Sequence, residues 1–148
     1  MQFAVFTVSQ PETTPEEAME QLVRIGYAGV EWRITVDRDQ VGPSGVLEGE
    51  TVAPSRADWE DEAFQRVAER MREHGLRCPN LGTYLSHSDL EGIERMMQVA
   101  RIFGSPSIRV GVPRYDGSRP YPELFSETVA RYERGCGAGR TARREGPH

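Results

Sequence analysis

Three glycines, Gly26, Gly75 and Gly104, each close a stretch with helical apolar spacing and each stand before a short apolar run. That repeated order of helix, glycine stop and strand constrains the fold more than any other feature of the chain. A glycine just past a helix takes the left-handed conformation that a side chain resists. The first instance, Ile25–Ile34, shows the pattern in full. Gly26 ends a helix, Gly29 allows a tight turn into a strand, and Val30–Ile34 is the strand. Glu31 and Arg33 alternate with Val30, Trp32 and Ile34, so the two charges share one face.

Read in order, the units are as follows. Phe3–Val8 is an apolar, β-branched and aromatic run and is predicted as a buried strand. Thr14-Pro15-Glu16-Glu17 predicts a helix start, with Thr14 as N-cap, Pro15 at the first helical position and Glu17 closing a capping box. Ala18, Leu22 and Ile25 give that helix its apolar face. After the second strand, the polar stretch Thr35–Ala57 is longer than most connections in a compact domain and reads as a lid or a poorly ordered loop. Ala57-Asp58-Trp59 opens a second helix striped by Ala63, Phe64, Val67, Ala68 and Met71. Trp32 and Trp59 are read as packing or lid residues.

Leu76–Leu81 is predicted as the third strand and Gly82–Asp89 as the polar loop after it. Ile93, Met96, Met97, Ala100 and Phe103 line a third helix, in which the methionines are core filler. Ile108–Val112 is the fourth strand, and a fourth helix begins near Tyr121-Pro122-Glu123. Strands alternating with helices imply an α/β fold of parallel (β/α) units with right-handed crossovers. The strands are apolar through most of their length, as strands covered on both faces should be.

The chain has 148 residues and reads as one domain over 1–133. Its net charge of −5 argues against nucleic-acid and membrane-surface partners. Cys78 and Cys136 are too few for a disulfide framework and show no zinc spacing, so both are read as free thiols in a reducing compartment. The absence of a leader or membrane-length apolar segment completes the expectation of a cytoplasmic protein. Residues 134–148 break the pattern. They carry Arg134, Arg140, Arg143 and Arg144 against Glu145, a net of +3, among Gly135, Gly137, Gly139 and Gly146. This Gly/Arg-rich tail is expected to be disordered. Every basic residue of the chain is Arg, and a GC-rich coding sequence read out of frame yields such a composition, so the tail is also expected to mark a truncated product.

The opening strand and helix, followed by Gly26-Tyr27-Ala28-Gly29-Val30-Glu31, and the later phrase Ala100-Arg101-Ile102-Phe103-Gly104-Ser105-Pro106-Ser107-Ile108-Arg109-Val110, carry a resemblance. Together they resemble the sugar phosphate isomerase/epimerase family with the xylose isomerase-like TIM barrel. The resemblance covers roughly residues 3–133 and implies a half-barrel fragment, four of the eight units of a (β/α)8 barrel. It implies proton transfer next to a carbonyl in the parent family, assisted by a divalent metal held by Glu, Asp and His residues of later strands. The chain itself is expected to lack that metal site and to have no cofactor of its own, its catalytic residues being unknown. The region corresponding to the metal-binding histidines of the related endonuclease branch reads Cys78-Pro79-Asn80 and Val110-Gly111-Val112-Pro113, without His, which argues against that branch.

Barrel sites lie at the C-terminal strand ends. The candidate substrate-binding residues there are Glu31, Arg33, Tyr84, His87 and Arg109. Glu31 and Arg33 either hydrogen-bond substrate hydroxyls or form an inward ion pair, and Arg109 faces the same choice. Tyr84 and His87 are read in the loop after the third strand, as ligand contacts or as a surface tyrosine and a solvated histidine. The expected partner is a small-molecule sugar. The unpaired outer strands of a half-barrel predict self-association. The alternatives are a non-enzymatic module that binds a small polyol or a partner, and an inert fragment.

Overall fold

The computed structural model describes residues 1–10, 13–34 and 60–144, the last ten of these by their backbone only. The elements are β1 (Ala4–Phe6), a 3-10 turn (Thr7–Ser9), α1 (Pro15–Ile25), β2 (Gly29–Ile34), α2 (Asp61–Glu73), β3 (Leu81–Ser86), α3 (Leu90–Phe103), β4 (Ile108–Gly111) and α4 (Tyr121–Arg144). The strands form one sheet in the order β1-β2-β3-β4, and every neighbouring pair is parallel. This is the α/β arrangement read from the sequence: four successive strand–helix units, consistent with half of a (β/α)8 barrel. The predicted loop 35–57 and the helix opening at Ala57-Asp58-Trp59 lie outside the described residues.

Local chemistry explains the ends of the helices. The Glu17 N–H donates to Thr14 Oγ1 (3.2 Å), and the Thr14 N–H donates to Glu17 Oε2 (2.8 Å), which completes the capping box. Gly26 and Gly104 end α1 and α3 at φ +92° and +66°, and Gly75 follows α2 at φ +70°. Gly29 answers a different need: a Cβ there would sit 2.7 Å from the Arg77 carbonyl oxygen. The close approach allows Val30 N–H to donate to Arg77 O (2.8 Å) and Arg77 N–H to donate to Ala28 O (3.1 Å).

The hydrophobic core lies between one face of the sheet and the helices. Val30, Trp32, Ile34, Leu81 and Leu85 meet Met19 and Leu22 of α1, Phe64 and Met71 of α2, and Met96, Val99 and Phe103 of α3. The Phe103 ring is central: its centroid lies 6.3 Å from that of Trp32 and 6.2 Å from that of Phe64, the latter edge-on. Cys78 is buried at the edge of this core, its thiol donating to Asn80 O (3.3 Å), and burial pushes the thiol pKa up to about 11.

Two sequence expectations need correction. The first strand is shorter than Phe3–Val8, because the chain turns at Thr7. The third strand is Leu81–Ser86, not Leu76–Leu81. Arg77 makes only an isolated bridge to Gly29. Pro79, which has no N–H to give, interrupts the ladder before it resumes at Leu81. Tyr84 therefore stands on a strand, not in a loop. The backbone of α4 runs on to Arg144.

Candidate ligand-binding face

The sheet face turned away from the helices carries the polar and charged strand residues, here called the inner face. Parallel pairing sets them in rows. Trp32 pairs with Leu81, and Leu81 with Ile108, so the preceding positions Glu31, Asn80 and Ser107 fall in one row. Hydrogen bonds join them: Asn80 Nδ2 donates to Glu31 Oε1 (2.9 Å), and Ser107 Oγ donates to Asn80 Oδ1 (2.9 Å). Glu31 thus has a structural partner near the start of the strands. It makes no ion pair with Arg33 among the described residues.

The next row toward the C-terminal ends is Arg33, Gly82 and Arg109, set by the pairings Arg33↔Gly82 and Gly82↔Arg109. The central member has no side chain, and a Cβ there would lie 2.4 Å from Phe6 Cε2 and 3.1 Å from Arg109 Nη2. The space is filled by the Phe6 ring, which leans across from β1 and meets the Arg109 guanidinium 4.6 Å from its centroid.

Tyr84 arrives through a bulge. Gly82 pairs with Arg109 but Ser86 pairs with Gly111, so β3 spends more residues than β4 between the two pairings. Bulges of this kind re-aim side chains. Thr83 Oγ1 donates to the Arg109 carbonyl inside the bulge. Tyr84 at its centre lies against both arginines, with Arg33 Cζ 5.0 Å and Arg109 Cζ 5.5 Å from its ring centroid. Arg33 is only 6% exposed, and its Nε has no hydrogen-bond partner among the described residues. Its backbone N–H donates to Thr7 Oγ1 (2.9 Å), where β1 has already left the sheet.

Of the five candidate residues, Arg33, Tyr84 and Arg109 come together. Glu31 lies one row below them. His87 belongs to a different neighbourhood: its ring stacks on Tyr132 of α4 (6.3 Å), and its Nε2 lies 3.3 Å from Arg131 Nη1. Nearby, the Arg119 guanidinium, with Arg131 beside it, holds the Glu127 carboxyl below its usual pKa. Sequence reasoning missed Phe6, Asn80, Gly82 and Thr7. Phe6 could have been reached from its alternation with Val5; the other three needed the strand register.

The divalent metal implied by the resemblance does not fit the inner face as described. No group of three or more His, Cys, Asp or Glu residues able to hold a metal ion occurs among the described residues. The groups that converge are guanidiniums and a phenol, which are hydrogen-bond donors suited to hydroxyls and anions. Among the described residues, no helix is long and apolar enough to cross a membrane.

Four strand–helix units around an all-parallel sheet in chain order define an α/β protein, consistent with part of a (β/α) barrel, a fold that places its sites at the C-terminal ends of the strands. Among solved structures the chain is similar to the apo form of 3-keto-D-glucoside 4-epimerase, YcjR, from E. coli. The TM-score is 0.59 at 14% identity, over 94% of this chain and 53% of that one. At this identity the likeness is one of fold alone, and the chain spans about half the length of that enzyme. No family model and no curated protein matches the chain.

Proposed function

We propose that the chain is a sugar isomerase/epimerase-like protein whose inner face receives a small polyhydroxylated molecule. The observation that carries this reading is the convergence of Arg33, Tyr84 and Arg109 on the inner face of the sheet. Guanidinium N–H groups and a phenol donate to sugar oxygens, and the Phe6 and Tyr84 rings offer apolar faces to sugar C–H groups. The free thiol of Cys78 suits a reducing, cytoplasmic setting.

A specific observation favours a second reading, in which the chain binds such a molecule without converting it. Proton transfer next to a carbonyl needs a base within hydrogen-bond reach of the carbon. Glu31 is the inner-face strand carboxylate among the described residues, and it accepts a hydrogen bond from Asn80 a row below the arginines. Saturation-transfer NMR with a panel of aldoses and ketoses tests binding, and deuterium uptake from D2O next to the carbonyl tests conversion. Saturable binding with deuterium uptake supports the isomerase reading, and binding without uptake supports the second. Absence of binding to every sugar overturns both.

A further inference from the structure

The geometry points to a ligand that carries an oxyanion, a carboxylate or a phosphate, in preference to an uncharged polyol. This rests on the ligand-binding reading of the inner face and adds the charge of what binds there. Arg33 carries a guanidinium and is 6% exposed, with its Nε unpartnered among the described residues. A buried charge is costly unless it is paired and hydrogen-bonded. Among the described residues, no carboxylate forms an ion pair with Arg33 or with Arg109. The aromatic faces of Tyr84 and Phe6 offset part of that cost but accept no hydrogen bond from the guanidinium plane.

The two cations are also placed to act together. They stand in one row on either side of Gly82, with backbones two strand spacings apart, about 9.5 Å. Both guanidiniums approach the same Tyr84 ring. Glu31, which could have neutralised one of them, is held by Asn80. The chain as a whole is acidic, at −5, so this concentration of unpaired positive charge runs against its composition. Planar guanidinium forks match carboxylate and phosphate oxygens with two parallel hydrogen bonds, a match that neutral hydroxyls do not offer.

The test uses three sugars that share one skeleton, D-glucose, D-gluconate and D-glucose 6-phosphate, titrated calorimetrically into the full chain at low and high salt. The expected result is that at least one anionic sugar binds about tenfold or more tighter than glucose, a preference that weakens with salt. Preference for gluconate identifies a carboxylate ligand and preference for the phosphate ester a phosphorylated one; either supports the inference. Arg109→Gln is expected to abolish the preference, so that the anionic sugars bind no tighter than glucose binds to the same variant. Arg109 is exposed on β4, so the fold should tolerate the change, and circular dichroism verifies it. Arg109→Lys, which keeps the charge and loses the fork, should retain part of the preference. Equal binding of all three sugars would overturn the oxyanion inference and leave the polyol reading standing. A preference that survives Arg109→Gln would overturn its assignment to this face. No binding by any sugar would remove the ligand-binding reading itself.

Discussion

The hydroxyl of Thr7 replaces a backbone acceptor that the sheet has lost, and removing it should be costly. Paired residues of β1 and β2 end at Phe6 and Glu31, after which the chain turns. Two residues further along β2, the Arg33 N–H donates to Thr7 Oγ1 at 2.9 Å, and Thr7 is 1% exposed. Thr7→Val keeps the shape and deletes the acceptor. A buried N–H left without a partner costs about 1–3 kcal/mol. With a urea m-value of about 2 kcal/mol/M, the unfolding midpoint should fall by about 0.5–1.5 M. Thr7→Ser keeps the acceptor and loses one methyl group, about 0.8 kcal/mol. Because these ranges approach each other, the decisive measurement is amide hydrogen exchange at Arg33. Protection should collapse in Thr7→Val and persist in Thr7→Ser. An Arg33 amide as protected in the valine variant as in the parent would refute the argument.

Other consequences can be measured with the same protein. Phe103→Ala should destabilise by about 3–5 kcal/mol, because it empties the junction of Trp32 and Phe64, while Phe125→Ala, at 55% exposure, should stay within about 0.5 kcal/mol. Comparable losses in both would show that the core is not where the helices meet the sheet. In a Cys136→Ser background, Cys78 should react with a disulfide reagent slowly in the native state and quickly in urea. Its pKa is raised in the fold from 9.0 to about 11, so the fold binds a proton that the unfolded chain releases. Stability should be unaffected by this group below pH 9 and should decline between pH 9 and about 11, as followed by urea midpoints. We also propose that β1 and β4, each unpaired along one side among the described residues, drive self-association. Sedimentation velocity should show a species heavier than 16.6 kDa that grows with concentration, and a single monomer at all concentrations would overturn this.

The sequence was most legible where chemistry is local. The capping box at Thr14 and Glu17 and the helix-ending glycines depend on a few neighbouring residues, and their geometry follows from them. The β2 face carrying Glu31 and Arg33 was legible from alternation alone. Strand three was not. Leu76, Cys78 and Leu81 are buried and look like a strand, but Pro79 splits them. Gly82, Thr83 and Ser86 have the composition of a loop, yet strands on both sides supply their partners and make them a strand. Misplacing that strand put Tyr84 in a loop and hid the bulge that brings it to Arg33 and Arg109. His87 was grouped with them because it is near in sequence, but beyond β3 the chain delivers it to α4.

The missing side chain at Gly82 has a mechanical consequence. It lets a ring from the first ribbon lie on a cation from the last, although the two share no backbone hydrogen bond. The outermost ribbons are thereby cross-braced over the two between them. Whatever seizes the Arg109 guanidinium must tug on Phe6 as well, so occupancy should be felt as tension at the opposite margin of the sheet, in the first residues of the chain.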